Sequence, residues 1–230
     1  MTQNELQADS VFKYFGDREI LTDCFVRCKT GEVIGILGRN GCGKSTFMKI
    51  IFGTLSSHHK YVSINGKKYD APYKVKGLMA YLPQQNFLPD LLTVKAAIRL
   101  YADSNSDKRN MLADEYILPH LSKNIFSLSG GERRYLEILL LVNSPAKFIL
   151  LDEPFNGLDP LVKEKIVALI RVYRTTKGFI ITDHDYRNII ATSDRIILVT
   201  NGVFKNIKAL EELETLHYLP PGSLALAGLV

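Results

Sequence analysis

The stretch GEVIGILGRNGCGKSTFMKIIFG, residues 31–53, runs from an apolar strand through a glycine turn into a helix, and its Gly38, Gly43, Lys44 and Ser45 satisfy G-x-x-x-x-G-K-[ST]. That order confines the chain to the α/β class, because a phosphate loop at a helix N-terminus has to be aimed by a strand held in a sheet. The glycines let the backbone fold around phosphate with its N–H groups inward, and the helix dipole adds positive potential. Lys44 reaches the terminal phosphates and Ser45 can ligate Mg²⁺. Asn40, Gly41, Cys42 and Thr46 complete the loop as further nucleotide-facing positions.

The rest of the chain supplies the sheet. VFKYF and LTDCFVRCK read as strands before the loop, KYVSINGKKYD as short strands about an Asn-Gly turn, and KGLMAYLPQQ as a strand ended by Pro83. From Asn86 to Pro145 the spacing turns helical, as in LTVKAAIRLYAD and GGERRYLEILLLVN. Strand–helix alternation then resumes with KFILL, PLVKEKIVALIRVYR, GFIITD, DRIILVTNG and VFKNI, and NIKALEELETLHYL reads as a last helix. Continuous apolar runs between helices indicate a mainly parallel sheet buried on both faces. The expectation is one domain over 1–230: a core of 1–85 and 146–230 that includes an antiparallel part, and an inserted helical subdomain over 86–145.

Composition narrows the setting. With 230 residues, 46% of them hydrophobic and 23% charged, the chain can bury one sizeable core. Its longest apolar runs, EILLLVN and LALAGLV, fall short of the roughly 18 to 20 residues a membrane-spanning helix needs. MTQNELQADS lacks the basic and apolar regions of a secretory signal, so a cytoplasmic location is expected. Three cysteines without CxxC spacing suit a reducing compartment, and alternation puts Cys24 and Cys28 on one strand face with Val26 as core thiols. The net charge of +5 is scattered, so polyanionic nucleotide is the expected ligand and no nucleic acid is expected.

Two further motifs carry chemistry. KFILLDEP is a buried strand ending in two acids, where ligands of parallel sheets gather. Asp152 and Glu153 would point to opposite sides, Asp152 to the Mg²⁺ shell and Glu153 to an attacking water. In IFSLSGGERRYLEILL, Ser129 and Glu132 form a capping box. Capping alone does not ask for Gly130 and Gly131, and two glycines at a helix N-terminus can open a second phosphate-facing surface. Both readings stand on the residues alone.

Taken in order, the P-loop GRNGCGKST, YLPQ, LSGGE, FILLDEP, NGLD and ITDHD resemble the P-loop, Q-loop, signature, Walker B, D-loop and switch histidine of the ATP-binding-cassette (ABC) ATPases over essentially the whole chain. The resemblance implies that two cassettes pack head to tail, the signature of one closing over ATP held by the P-loop of the other. It gives Gln84 a role at Mg²⁺ and the attacking water, and in sensing a membrane partner. Ser129 and Gly131, with Gly130 between them, would contact the γ-phosphate in trans, and Asp159 would link the two sites. Glu153 looks like the general base and His184 like the γ-phosphate switch. Phe15 matches the aromatic that stacks on adenine, with Tyr14 as the alternative.

The cofactors so implied are ATP and Mg²⁺, and the activity is ATP hydrolysis. One P-loop and one signature cannot complete two composite sites, so a second cassette subunit, in the simplest case a copy of this chain, is an implied partner. The others are integral membrane transporter subunits docking near Gln84 to Leu92, where Phe87, Leu88, Leu91 and Leu92 would line a groove or, for the last two, pack the helical lobe. Such partners would hold the chain peripherally on the inner face of the cell membrane. YLPQ, LSGGERR, KFILLDEPF and ITDH together are similar to the lipopolysaccharide-export cassette and relatives near the branched-chain amino-acid importers. YLEILLLVNSP departs from the Ala-Arg-Ala-Leu-like run that relatives usually carry after the signature. The alternative is an ABC ATPase that acts on a macromolecular complex, in cofactor assembly, translation or repair, without transport.

Overall fold

Alternation in ELQADSVFKYF and REILTDCFVRCK produces a long antiparallel hairpin of β1 (Glu5–Phe15) and β2 (Arg18–Lys29). Its inward face buries Cys24, Val26 and Cys28 together, as the spacing anticipates. The computed structural model describes residues 3–228; the first two residues of MTQNELQADS and the last two of LALAGLV lie outside it. β3 (Val33–Gly38) is buried throughout and leads through the P-loop into α1 (Lys44–Phe52). β4 (His59–Ile64) pairs antiparallel with β1, and β5 (Lys67–Lys68) folds back on it through Asn65 and Gly66, both left-handed as a tight hairpin turn requires.

β6 (Met79–Leu82) is followed by α2 (Val94–Tyr101), α3 (Asn105–Leu112) and α4 (Gly130–Val142), with two short 3₁₀ turns between α3 and α4. Next come β7 (Phe148–Asp152), α5 (Pro160–Tyr173), β8 (Gly178–Thr182), α6 (Tyr186–Thr192), β9 (Arg195–Thr200), β10 (Val203–Ile207), α7 (Glu212–Thr215) and α8 (Ser223–Leu226).

The strands form two sheets. One has the order β2-β1-β4-β5 and is antiparallel; the other has the order β10-β9-β3-β8-β7-β6 and is parallel except for β10. Side chains of the parallel strands alternate between two cores. Ile34, Ile36, Phe148, Leu150 and Ile180 pack with α1 and the antiparallel sheet, whereas Val33, Leu37, Ile149, Leu151 and Ile181 pack with α2, α4 and α5. Covering both faces explains the continuous apolar runs. The carboxyl ends of β3, β6, β7 and β8 therefore meet along one edge, where open α/β sheets place their ligands.

The tail is less helical than NIKALEELETLHYL suggests. Asn206 and Ile207 belong to β10, and only Glu212–Thr215 is α-helical. The Glu212 carboxylate accepts the Lys208 and Ala209 N–H groups, at 2.8 and 3.2 Å, and fixes where the helix starts. His217, at φ +57°, turns the chain left-handed and ends it.

Burial pushes the Cys24 thiol from 9.0 up to about 12, and the Cys28 thiol higher still. Both stay protonated in the folded chain where the unfolded chain ionises, so their contribution to stability is intact below pH about 9 and is lost as pH rises from there through the folded values. Cys24→Ala is expected to flatten the fall of the denaturation midpoint between pH 9 and 11, measured by urea unfolding against the unaltered chain.

Candidate nucleotide site

The P-loop is held open by geometry that only glycine satisfies at Gly43. Its φ is +106°, and a Cβ there would meet Leu21 Cδ2 at 2.8 Å and Ile20 O at 3.0 Å. α1 starts immediately after it with no side-chain cap, so its first N–H groups face the loop. Lys44 is only 4% exposed and curls back over the loop, its ammonium donating to the carbonyls of Gly38 (2.7 Å) and Arg39 (3.2 Å).

Three segments converge on the Asp152 carboxylate at the end of β7. It is fully buried and accepts from the Ser45 hydroxyl (2.9 Å), the Thr182 hydroxyl (2.7 Å) and the Tyr81 hydroxyl (2.8 Å). The Gln84 amide in turn donates to Ser45 Oγ at 3.0 Å. Burial and the Asp152 charge push the Tyr81 hydroxyl well above its ordinary value, so it remains a donor.

Glu153 leaves β7 in a left-handed conformation, φ +51°. Strand alternation therefore no longer sets its direction. Its N–H donates to Thr182 O (2.9 Å), its carboxylate accepts from Asn156 Nδ2 (3.3 Å), and it reaches the wall of a cavity of about 440 Å³. Phe15, Arg18, Asn40, Gly41, Gly43, Lys44, Ser45, Thr46 and Gln84 line the same cavity. Phe15 is 51% exposed with the Lys13 ammonium 4.8 Å from its ring centre, while Tyr14 turns away to donate to Glu19 at 2.9 Å. Of the two aromatics it is Phe15 that forms the wall.

Other expected site residues stand elsewhere. Ser129 caps α4 in a complete capping box, accepting from Glu132 N (3.2 Å) and donating to the Glu132 carboxylate (2.7 Å). Gly130 is open, with nothing within 4 Å of a built Cβ, whereas a Cβ on Gly131 would press Val162 of α5 at 3.1 Å. Helix packing is therefore one reason for Gly131. None of these three lines the large cavity; Gly130 borders a neighbouring hollow of about 200 Å³ with Gln84, Arg134 and Glu153. Asp159 caps α5 through Val162 N (3.1 Å), and His184 is exposed beyond β8 with Nδ1 3.5 Å from Asp183. Gly38 and Cys42 pack on each other beneath the loop, and Cys42 opens onto a separate hollow beside His217 and Tyr218.

The apolar segment after Gln84 divides in two. Leu88 is a core residue at 2% exposure, which corrects its expected place in a groove; its backbone is drawn inward by Glu137, which accepts its N–H at 3.3 Å. Leu91 is 86% exposed, Leu92 half-buried, and half-buried Phe87 packs edge-on against Tyr101 at 5.8 Å.

Sequence reasoning missed Tyr81, Thr182, Arg18 and Arg134. Arg134 is the one with a readable signal: a charge three residues before Glu137 on a helix otherwise dominated by apolar residues. Its guanidinium donates to Pro83 O (2.7 Å), Asp152 O (2.8 Å) and Glu153 O (3.2 Å).

Residues 21–156 match the family described as ABC transporter. The lipopolysaccharide export system ATP-binding protein LptB of Escherichia coli K12 is 33% identical over 210 residues, covering 86% of this chain and 87% of its own. A probable ABC transporter ATP-binding protein of Azorhizobium caulinodans is 32% identical over 213 residues, 87% of this chain and 75% of its own. A solved structure described as an ATP binding subunit of an ABC transporter superposes with a TM-score of 0.81 at 25% identity, covering 96% of each chain. A bacterial Atm1-family ABC exporter with ATP bound shares the fold, with a TM-score of 0.81 at 21% identity over 93% of this chain and 40% of its own.

Proposed function

The chain belongs to the ABC transporter family of ATP-binding proteins, and from that premise we propose that it hydrolyses ATP in a head-to-tail pair and drives a separate membrane-embedded partner. The observation that carries this reading is the division of the site. Lys44 and Ser45 line one cavity, the signature glycine Gly130 borders a neighbouring hollow that neither of them reaches, and Gln84 and Glu153 line both. A second cassette can supply the signature from outside, and one chain alone does not.

Ser45, Asp152 and Gln84 all carry hard oxygens, and Ser45 Oγ links the other two by donating to the Asp152 carboxylate and accepting from the Gln84 amide, a set that suits Mg²⁺. Mg²⁺ held there would neutralise charge on the β- and γ-phosphates. The Gly43–Lys44 backbone and the Lys44 ammonium hold those phosphates, Lys44 exchanging its carbonyl acceptors for phosphate oxygens. Glu153 orients water for in-line attack on the γ-phosphorus and takes its proton; Gln84 fixes the same water from the other side. His184 contacts the γ-phosphate from the end of β8, and Phe15 stacks on adenine. Ser129, Gly130 and Gly131 of the second cassette complete the γ-phosphate shell, and Asp159 couples the two sites.

Among the described residues no helix is long and apolar enough to cross a membrane. We assign the docking of membrane subunits to Gln84–Leu92, where the core enters the helical 86–145 part, with exposed Leu91 and half-buried Phe87 as its apolar contacts. The chain then works in the cytoplasm at the inner face of the cell membrane.

Tagged Glu153→Gln protein, held with ATP and Mg²⁺ in mildly solubilised native membranes, is expected to co-purify with a polytopic membrane protein identified by mass spectrometry. Recovery of only this chain or of soluble assembly factors would overturn the transport half of the proposal. Phe87→Asp is expected to lose that partner and its stimulation of ATPase activity, with basal turnover changed less than about threefold. Unchanged partner recovery would remove Phe87 from the docking surface.

A further inference from the structure

Arg134 is 5% exposed on the first turns of α4, and its planar head reaches two separate segments. One contact is to Pro83 O, the residue before Gln84; the others are to Asp152 O and Glu153 O at the end of β7. Glu153 sits at φ +51°, a conformation that a side chain with a Cβ adopts only when its surroundings hold it. Thr182 O accepts the Glu153 N–H at 2.9 Å, and the Glu153 carbonyl accepts from the Arg134 guanidinium at 3.2 Å and from the Asn156 N–H at 3.5 Å. One turn further along, fully buried Glu137 lies 3.5 Å from the Arg134 guanidinium and accepts the N–H of Phe87 at 2.8 Å, so it fixes the chain just beyond Gln84.

We propose that Arg134 is a positioning residue for hydrolysis: by bridging the Pro83 and Asp152–Glu153 carbonyls it sets the spacing of Gln84 from Glu153 and holds the left-handed turn that aims the Glu153 carboxylate into the cavity. The proposal rests on the reading of Glu153 as the general base. Arginine is required because its fork presents several N–H donors in fixed directions; a lysine ammonium keeps the charge beside Glu137 but acts as a single point. A reacting group misplaced by about 1 Å costs on the order of 100-fold in rate without weakening substrate binding.

Arg134→Lys is therefore expected to lower kcat by about 10- to 100-fold, with KM for ATP and the affinity for a fluorescent ATP analogue changed less than about threefold and a thermal midpoint near that of the unaltered chain. Combined with Glu153→Gln it is expected to add no further loss in single-turnover assays, because positioning an absent base has no value. Should Arg134→Lys fail to fold, the pair Arg134→Gln with Glu137→Gln, which removes both charges of this buried pair, is read by the same split. Glu153→Gln turning over near the normal rate would sink the base assignment itself. With Glu153→Gln inactive, the Arg134 proposal fails on either of two results: an unchanged kcat in Arg134→Lys, or a loss that follows the folded fraction and nucleotide affinity.

Discussion

Glu153→Gln is expected to lower ATP turnover by about 10²- to 10⁴-fold, the range associated with removal of a positioned general base, while ATP affinity stays within about threefold. Gln matches Glu in size, so the cavity wall and the left-handed turn at φ +51° are preserved. The side-chain oxygen that accepts from Asn156 also survives as an amide oxygen. What disappears is the ability to take a proton from water. Phosphate-binding groups, Lys44 and the α1 N-terminus, belong to a different segment of the chain and are untouched. If hydrolysis separates the proposed pair, the altered chain also accumulates as an ATP-bound dimer. Steady-state phosphate release together with equilibrium nucleotide binding measures both halves; turnover near the normal rate would remove Glu153 from the role.

Gly130→Asp is expected to reduce ATPase activity by at least about 100-fold while each single chain still binds ATP. The position is open, with no atom within 4 Å of a built Cβ, so the substitution has room. A carboxylate in the first turn of α4 also suits the helix dipole, worth about 0.3–1 kcal/mol, so the fold is not expected to suffer. Its damage is electrostatic. A γ-phosphate approaching this N-terminus from a second cassette meets a like charge where it should meet N–H groups, and removing one such stabilising contact typically costs about 10²- to 10³-fold. Since Gly130 does not line the cavity of its own chain, the affinity of the monomer for ATP is expected to be unchanged. Gly131 is the wrong place for this test, because a Cβ there already presses Val162.

Much of this was legible in the residues because the parallel strands are buried on both faces and so declare themselves as continuous apolar runs. The P-loop was legible for a local reason: Gly43 needs both a positive φ and close approach to Ile20, which the motif encodes directly. Contacts made across the sheet were not. Tyr81 and Thr182 look like ordinary strand residues until β6 and β8 bring them to Asp152 from either side. Arg134 shows in the residues only as a charge on a mostly apolar helix, and the Pro83 and Asp152 carbonyls it serves come into view only once α4 packs beside them. Leu88 and Leu91 are alike in sequence, yet Leu88, whose N–H Glu137 accepts, packs into the core while Leu91 stays exposed. The tail misled because NIKALEELETLHYL has helical composition, yet strand pairing with β9 claims its start and the left-handed His217 cuts it short.

In the proposed composite site the signature of one chain serves the ATP of another, and the mass of the Glu153→Gln chain in solution reports whether it forms. By light scattering, the 25.9 kDa chain is expected to be monomeric without nucleotide and to double in mass with ATP and Mg²⁺. Adding Gly130→Asp to the same chain is expected to return it to a monomer that still carries ATP. A chain that stays monomeric under ATP, or a dimer indifferent to Gly130→Asp, would contradict the composite site.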